Sequence, residues 1–387
     1  MLTPSPEPLT APPLTLYVHT PWCVRKCPYC DFNSHTAPET IPEEDYLAAL
    51  LADLDADLAT PETRPIEAIF IGGGTPSLMS PGFYERLFEG LAHRLDLSQL
   101  SEITMEANPG TVEEGRFTGF RQAGINRLSL GVQSFDPQHL HRLGRIHNGD
   151  DAARAVTAAQ AAGFERINLD LMHGLPQQTP EQAVADLEAA LTFGTGHISW
   201  YQLTIEPNTV FHSQPPTLPD EDTLAAIQEA GEARLRENGL QRYEISAWSH
   251  PGEECRHNLN YWHFGDYLAI GAGGHGKLTE PGEDRIRRYW KTRRPEDYLN
   301  RMGSRTAGRQ DLEHGERPLD FLLNALRLNG GVPAGFFRAR TGLPLDAIGG
   351  ELQQLRARGL LVPDDDRLAV TEKGERFLND VLEAFVP

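Results

Sequence analysis

Apolar and polar positions along the chain change period in a regular rhythm. The stretch Leu14 to His19 (LTLYVH) is short and mostly apolar, as a buried strand requires. Tyr46, Leu47, Leu50, Leu51, Leu54 and Leu58 then recur at helical spacing behind the acidic start Pro42 to Asp45. The alternation continues: strand Ile66 to Ile71, helix Pro81 to Leu95, strand Glu102 to Glu106, helix Val112 to Ala123, strand Arg127 to Gly131. Helix Asp151 to Ala162 precedes strand Arg166 to Met172. Thr179 with Pro180 and Gln182 forms a capping box opening a helix toward Leu191. Strand His197 to Leu203, helix Glu221 to Arg236 and the extended Tyr243 to Ser246 complete the series.

Six strands separated by helices predict parallel βα units with right-handed crossovers. The expected fold is α/β, a partial (β/α)6 barrel of the TIM type, with an open doubly wound sheet as the alternative. Polar signals favour the barrel, because they gather where each strand ends, the end at which barrels place their chemistry. They are the loop at Cys23, Gly72 to Thr75, Glu106 with Asn108, Gln133, Asp170, and Thr204 with Glu206. Beyond Arg309 the pattern becomes helices leading to a short hairpin and a last helix Glu375 to Phe385, a winged-helix-like α+β arrangement. The expected divisions are a proline-rich extension 1–13, the barrel 14–248, a barrel-closing segment 249–308 and the C-terminal domain 309–387.

The chain has 387 residues and a formal net charge of -20, which argues against nucleic acid as a partner. The first sixteen residues lack a basic leader pattern, and no apolar run is long enough to cross a bilayer. A cytoplasmic protein with reduced thiols is the expectation, because four cysteines in so long a chain do not make a disulfide framework.

Three of those cysteines, Cys23, Cys27 and Cys30, stand as CxxxCxxC. A [4Fe-4S] cluster is normally held by four cysteines, so three on one loop would leave one iron open. A zinc site is the competing reading, but it wants four ligands in two pairs, and Cys255 stands alone far downstream. Gly72, Gly73 and Gly74 would let the backbone approach a ligand and expose its N–H groups. Glu106 and Asp170 are single acids in apolar strands, either ligand-facing or paired, for instance to Arg127 or Arg145. The string Ala269 to Gly276 (AIGAGGHG) superficially suggests a dinucleotide loop, but no suitable βα unit follows it.

Taken in order, YVHTPWC, GGGTPS, EANP, GVQSF, HRLGR, LDLMHGLP, YEIS and HNLNYW resemble the radical S-adenosylmethionine (SAM) family of oxygen-independent coproporphyrinogen III oxidase-like proteins, and most its HemW-type haem chaperones. The resemblance implies a [4Fe-4S] cluster on Cys23, Cys27 and Cys30 with SAM on its open iron. It implies a SAM pocket of Tyr17, Gly73, Gly74, Thr75, Glu106, Gln133, Arg145 and Asp170. It further implies haem as cargo, haem-accepting partners with a membrane respiratory enzyme as the family-level expectation, and His257 of the HNxxYW string as haem ligand. Cys255, His263 and His275 are alternatives to His257, and packing is the bland reading of the whole string. The competing activity is oxidative decarboxylation of coproporphyrinogen III. The oxidases resemble one another in a longer CxxxCxxCxC motif, and Phe32 occupies the position of its last cysteine here. A cluster with a purely structural or redox-sensing role is the third reading.

Overall fold

The computed structural model describes residues 9–58, 62–110 and 115–386. In chain order the strands of its main sheet are β1 Leu14–Thr20, β2 Ile66–Gly73, β3 Glu102–Ala107, β4 Arg127–Gln133, β5 Arg166–His173, β6 Gly196–Gln202, β7 Gln241–Glu244, β8 Ala247–Ser249, β9 Asp266–Ile270, β10 His275–Glu280, β11 Arg285–Lys291 and β12 Thr306–Asp311. They lie side by side as β12-β11-β10-β9-β1-β2-β3-β4-β5-β6-β8-β7 in one 12-stranded sheet. Strands β1 to β6 pair in parallel and in sequence order, as the βα rhythm predicts. The two end strands of the sheet, β12 and β7, do not pair with each other, so the barrel is partial.

The segment 249–308, expected to close the barrel, instead extends the sheet. Its strand β9 joins outside β1 as a seventh parallel strand, and β10 to β12 follow as an antiparallel meander. The stretch Tyr243 to Ser246, expected as one strand, is the corner of a hairpin that pairs antiparallel with β6 through β8.

Helices α1 Glu43–Asp57, α2 Pro81–Ala92, α3 Phe117–Ala123, α4 Pro137–Arg142, α5 Gly149–Ala161, α6 Pro180–Leu191 and α7 Glu221–Glu237 connect the strands. Residues 112–114 of the expected helix Val112 to Ala123 lie outside the described residues. The helices begin where local chemistry dictates. Ser80 accepts a bond from Phe83 N–H, and Asn148 with Asp151 and Thr179 with Gln182 form capping boxes.

Strand alternation decides where the core lies. Leu14, Leu16, Val18, Ile69, Ile71, Met105, Leu128, Leu130, Leu169 and Leu171 face outward and join the helices in one buried core. The other face carries Tyr17, His19, Glu102, Glu106, Arg127, Ser129, Asn168, Asp170, His197 and Ser199. These connecting helices therefore cover one face of the sheet only, unlike a doubly wound fold. Barrel interiors are ordinarily filled with branched apolar side chains. This one is polar, and those groups must bond to one another or to a ligand.

A second core forms around Phe321, Phe337, Leu352 and Leu368. Its elements follow the winged-helix order: helix Arg317–Ala325, strand Val332–Pro333, helix Ala334–Thr341, helix Gly349–Ala357, a bridge Leu361 to Val370, and strand Arg367–Leu368. The expected terminal helix breaks at Phe377 into Glu372–Arg376 and Leu378–Glu383. Leu9, in the proline-rich extension, is buried in this second core, and Thr10 N–H donates to Ala339 O at 2.8 Å. No helix among the described residues is long and apolar enough to cross a membrane.

Candidate functional site

Beyond β1 the chain enters the cysteine loop, whose base is closed by Trp22–Cys23 pairing with His35–Thr36. A tight turn, Cys30 N–H to Cys27 O at 3.2 Å, brings those two cysteines round. Each thiol meets a different polar group. Thr75 Oγ1 donates to Cys23 Sγ at 3.5 Å, Arg145 Nη1 donates to Cys27 Sγ at 3.5 Å, and Ser34 Oγ lies 3.8 Å from Cys30 Sγ. Burial pushes the Cys23 and Cys30 thiols up, each offset in part by these hydrogen bonds.

This donor set fits a cluster better than a single ion. Structural zinc sites are closed by four ligands, whereas this loop brings three thiols with the fourth cysteine elsewhere. A cube presents its irons at separate corners, so its thiolates stand apart. Hydrogen bonds to the sulfurs are a feature of such sites. The fourth cysteine cannot join them: Cys255 Sγ lies 3.5 Å from Glu102 Oε1, at the first residue of β3 and thus at the opposite end of the barrel. Burial pushes its thiol up to about 12.

The glycine run behaves differently from expectation. Its N–H groups are not exposed: Gly73 donates to Glu106 Oε2 at 3.1 Å, Gly74 to Thr20 O at 2.6 Å and Thr75 to Trp22 O at 2.7 Å. Glycine is needed for close approach instead. A Cβ on Gly74 would lie 2.5 Å from Trp22 O, and one on Gly73, at φ +112°, 2.5 Å from the His19 ring. The run thus seats the cysteine loop against β2.

Around it the expected pocket residues converge. Tyr17 OH lies 3.0 Å from His19 Nδ1. Arg145 is half-buried and also donates to Asn108 Oδ1 at 2.6 Å and Gly131 O at 2.8 Å. Gln133, at φ +68°, accepts from Tyr201 OH at 2.7 Å. Asp170 accepts from Ser129 Oγ at 2.9 Å and Asn168 Nδ2 at 2.8 Å. Neither Glu106 nor Asp170 forms an ion pair with a described residue, so the salt-bridge alternative is not realised. Burial, and then the charge of Asp170, raise Glu106 to about 8. Burial also raises Asp170 against its hydrogen bonds.

Asn108, read from sequence only as a polar signal beside Glu106, bridges Thr75 and Arg145, donating to Thr75 Oγ1 at 3.0 Å. One participant was not singled out from sequence. His19 Nε2 lies 2.9 Å from Asn33 O in the cysteine loop. For His19 the alternation of β1, which puts it on Tyr17's face, was the available signal.

The HNLNYW string forms helix α8, Arg256–Trp262. His257 points into the barrel, its ring 5.3 Å from that of Phe70 and 6.4 Å from that of Tyr17. It is buried, its Nδ1 has no hydrogen-bond partner among the described residues, and burial lowers it to about 4. Tyr261 packs on Trp262 and Tyr267. Asn260 Nδ2 donates to Asp266 O at 2.9 Å, so part of the string satisfies the sheet beside it.

The model of the Radical SAM superfamily matches residues 17–190, and that of the HemN C-terminal domain matches residues 312–377. "Heme chaperone HemW" of Escherichia coli (strain K12) is 50% identical over 375 residues, covering 97% of this chain and 98% of that protein. The chain belongs to the HemW family. Family members extend to Mycobacterium tuberculosis (strain ATCC 25618 / H37Rv), whose "Heme chaperone HemW" is 33% identical over 98% of this chain and 96% of its own. "Radical S-adenosyl methionine domain-containing protein 1, mitochondrial" of Bos taurus is 33% identical over 95% of this chain and 86% of that one. The solved structure of coproporphyrinogen III oxidase (HemN) from Escherichia coli superposes on this HemW-family chain with a TM-score of 0.80. It covers 97% of this chain and 90% of the oxidase at 22% identity, which establishes a common fold.

Proposed function

We propose that this protein binds a [4Fe-4S] cluster, SAM and haem, and hands haem to acceptor proteins. One observation carries the cluster and SAM part. Three thiols of a single loop are each met by a polar group, one from Thr75 just past the C-terminal end of β2 and one from Arg145 in the loop after α4, while the fourth cysteine sits at the far end of the barrel. Cys23, Cys27 and Cys30 would hold the cluster, which when bound supplies one iron free of protein ligands and an electron for the sulfonium.

The chain's own residues would then orient the cofactor. Gly73, Gly74 and Thr75 border the loop and would meet the methionyl end. Glu106, beside Gly73, would take its polar groups, and Asp170 would accept from a ribose hydroxyl. Tyr17, Gln133 and Arg145 would wall the pocket, with Arg145 also bonded to Cys27. Haem as cargo is supported by the names of the relatives. Against the decarboxylase reading stands Phe32, a 61% exposed ring where the oxidases' further cysteine would fall.

Anaerobic reconstitution with iron and sulfide tests the reading. The reduced protein should give a cluster EPR signal that SAM changes, and haem should bind saturably with a shifted Soret band. A signal indifferent to SAM refutes the open-iron assignment, and absence of saturable haem binding refutes the cargo.

A further inference from the structure

The buried His257 leaves open where so large a ligand as haem would sit. One flank of the cysteine loop presents a different surface. Phe32 there is 61% exposed. The next residue, Asn33, ties this flank to the glycine string, its Nδ2 donating to Ala272 O at 3.0 Å and Arg293 O at 2.8 Å. His275 follows three residues after Ala272, exposed at the start of β10. Neither of its ring nitrogens hydrogen-bonds to a described residue. It pairs in register with Trp290, the two rings 6.4 Å apart and inclined by 27°. Partial burial, then the charges of Arg293 and Arg288, lower its imidazole, which keeps it neutral and able to ligate a metal.

The charge here runs against that of the whole chain. At a net charge of -20, the loop 24–33 and the turn 292–295 nevertheless carry Arg25, Lys26, Arg293 and Arg294 against Asp31. Lys26 Nζ donates to Phe32 O at 3.0 Å and Ser34 O at 3.4 Å. Arg293 Nε donates to Asn33 Oδ1 at 3.4 Å. Both cations thus flank the exposed ring, with Glu296 the acid reaching His35 from the following helix.

We propose that haem docks on this flank, with its macrocycle against Phe32 and Trp290, His275 as axial ligand, and Lys26 and Arg293 facing the two propionates. The inference rests on the haem-carrying reading above and adds the place. An apolar plate with anionic edges matches the exposed ring of Phe32 and the half-buried ring of Trp290 with cations beside them, and histidine is a common haem ligand.

Titration of the full-length protein with hemin and with metal-free protoporphyrin IX tests it. His275→Ala should weaken hemin binding at least about tenfold and move the Soret band, while leaving protoporphyrin binding unchanged. Lys26→Gln with Arg293→Gln should weaken both ligands. His257→Gln should bind hemin as the wild type does. Circular dichroism confirms that each variant is folded. Wild-type hemin binding by His275→Ala, or its loss in a folded His257→Gln alone, overturns the proposed place and leaves the haem-carrying reading intact. No binding by the wild type ends both.

Discussion

Glu106 offers a prediction whose size follows from its surroundings. It sits near the end of β3, accepts one bond from Gly73 N–H, and faces Asp170 across the polar interior. Burial and that like charge lift it from an ordinary 4.5 to about 8. Between these values the folded chain keeps a proton that the unfolded chain has released. Stability therefore falls as pH rises through this window and is unaffected below it. The full shift corresponds to about 4.8 kcal/mol above pH 8, at 1.36 kcal/mol per unit. That figure is a ceiling, because Glu106 is only half-buried beside an open barrel and keeps some contact with water. About half is the expected effect.

Glu106→Gln removes the titration and keeps an acceptor for Gly73. Urea unfolding of the metal-free protein at pH 5 and pH 8.5 should show the variant gaining about 2 kcal/mol on the wild type across the interval. Asp170→Asn, which removes the like charge, should reduce the pH dependence of the wild type. A difference constant to within about 0.5 kcal/mol would mean that Glu106 is already ionised at pH 5 and the interior screens it. On the SAM reading there is a functional corollary. A sulfonium near Glu106 draws its proton off, so binding near pH 7 should release a proton from the wild type and none from Glu106→Gln. Calorimetry in two buffers of unlike ionisation heat measures this.

Gly73→Ala forces a side chain onto a left-handed backbone and into the His19 ring; about 1–3 kcal/mol of stability should be lost in urea unfolding, together with iron content. Lys291 is buried with Nζ 2.7 Å from Asp53 Oδ1 and 2.6 Å from Asp57 Oδ2. Lys291→Met leaves those carboxylates unpaired and should cost about 3–5 kcal/mol by the same measurement. Cys255→Ala should keep the full iron and sulfide content after reconstitution, whereas Cys27→Ala should lose it. Equal loss in both would place Cys255 among the ligands.

What could be read from sequence was what is decided locally. The six strands and the capping box at Thr179 follow from alternation and short-range bonds, and both are present. The strand Asp266–Ile270 was hidden because it runs into a glycine string, and its partner β1 lies some 250 residues earlier. The polar interior was half visible. In RINLDLMH the polar Arg166, Asn168 and Asp170 alternate with apolar residues, yet Asp170 read as a lone acid, because its partners Ser129 and, through Asn168, His197 lie on other strands. The glycine run shows the limit most clearly. Three glycines announce that something comes close, but not whether it is a ligand or the chain itself. Here Trp22 and His19 are what comes close. A substitution in this run therefore acts first on the cysteine loop and only through it on any bound cofactor. Loss of cluster in Gly74→Ala would accordingly say nothing about contact between Gly74 and SAM, whereas a loss of SAM affinity with the cluster intact would.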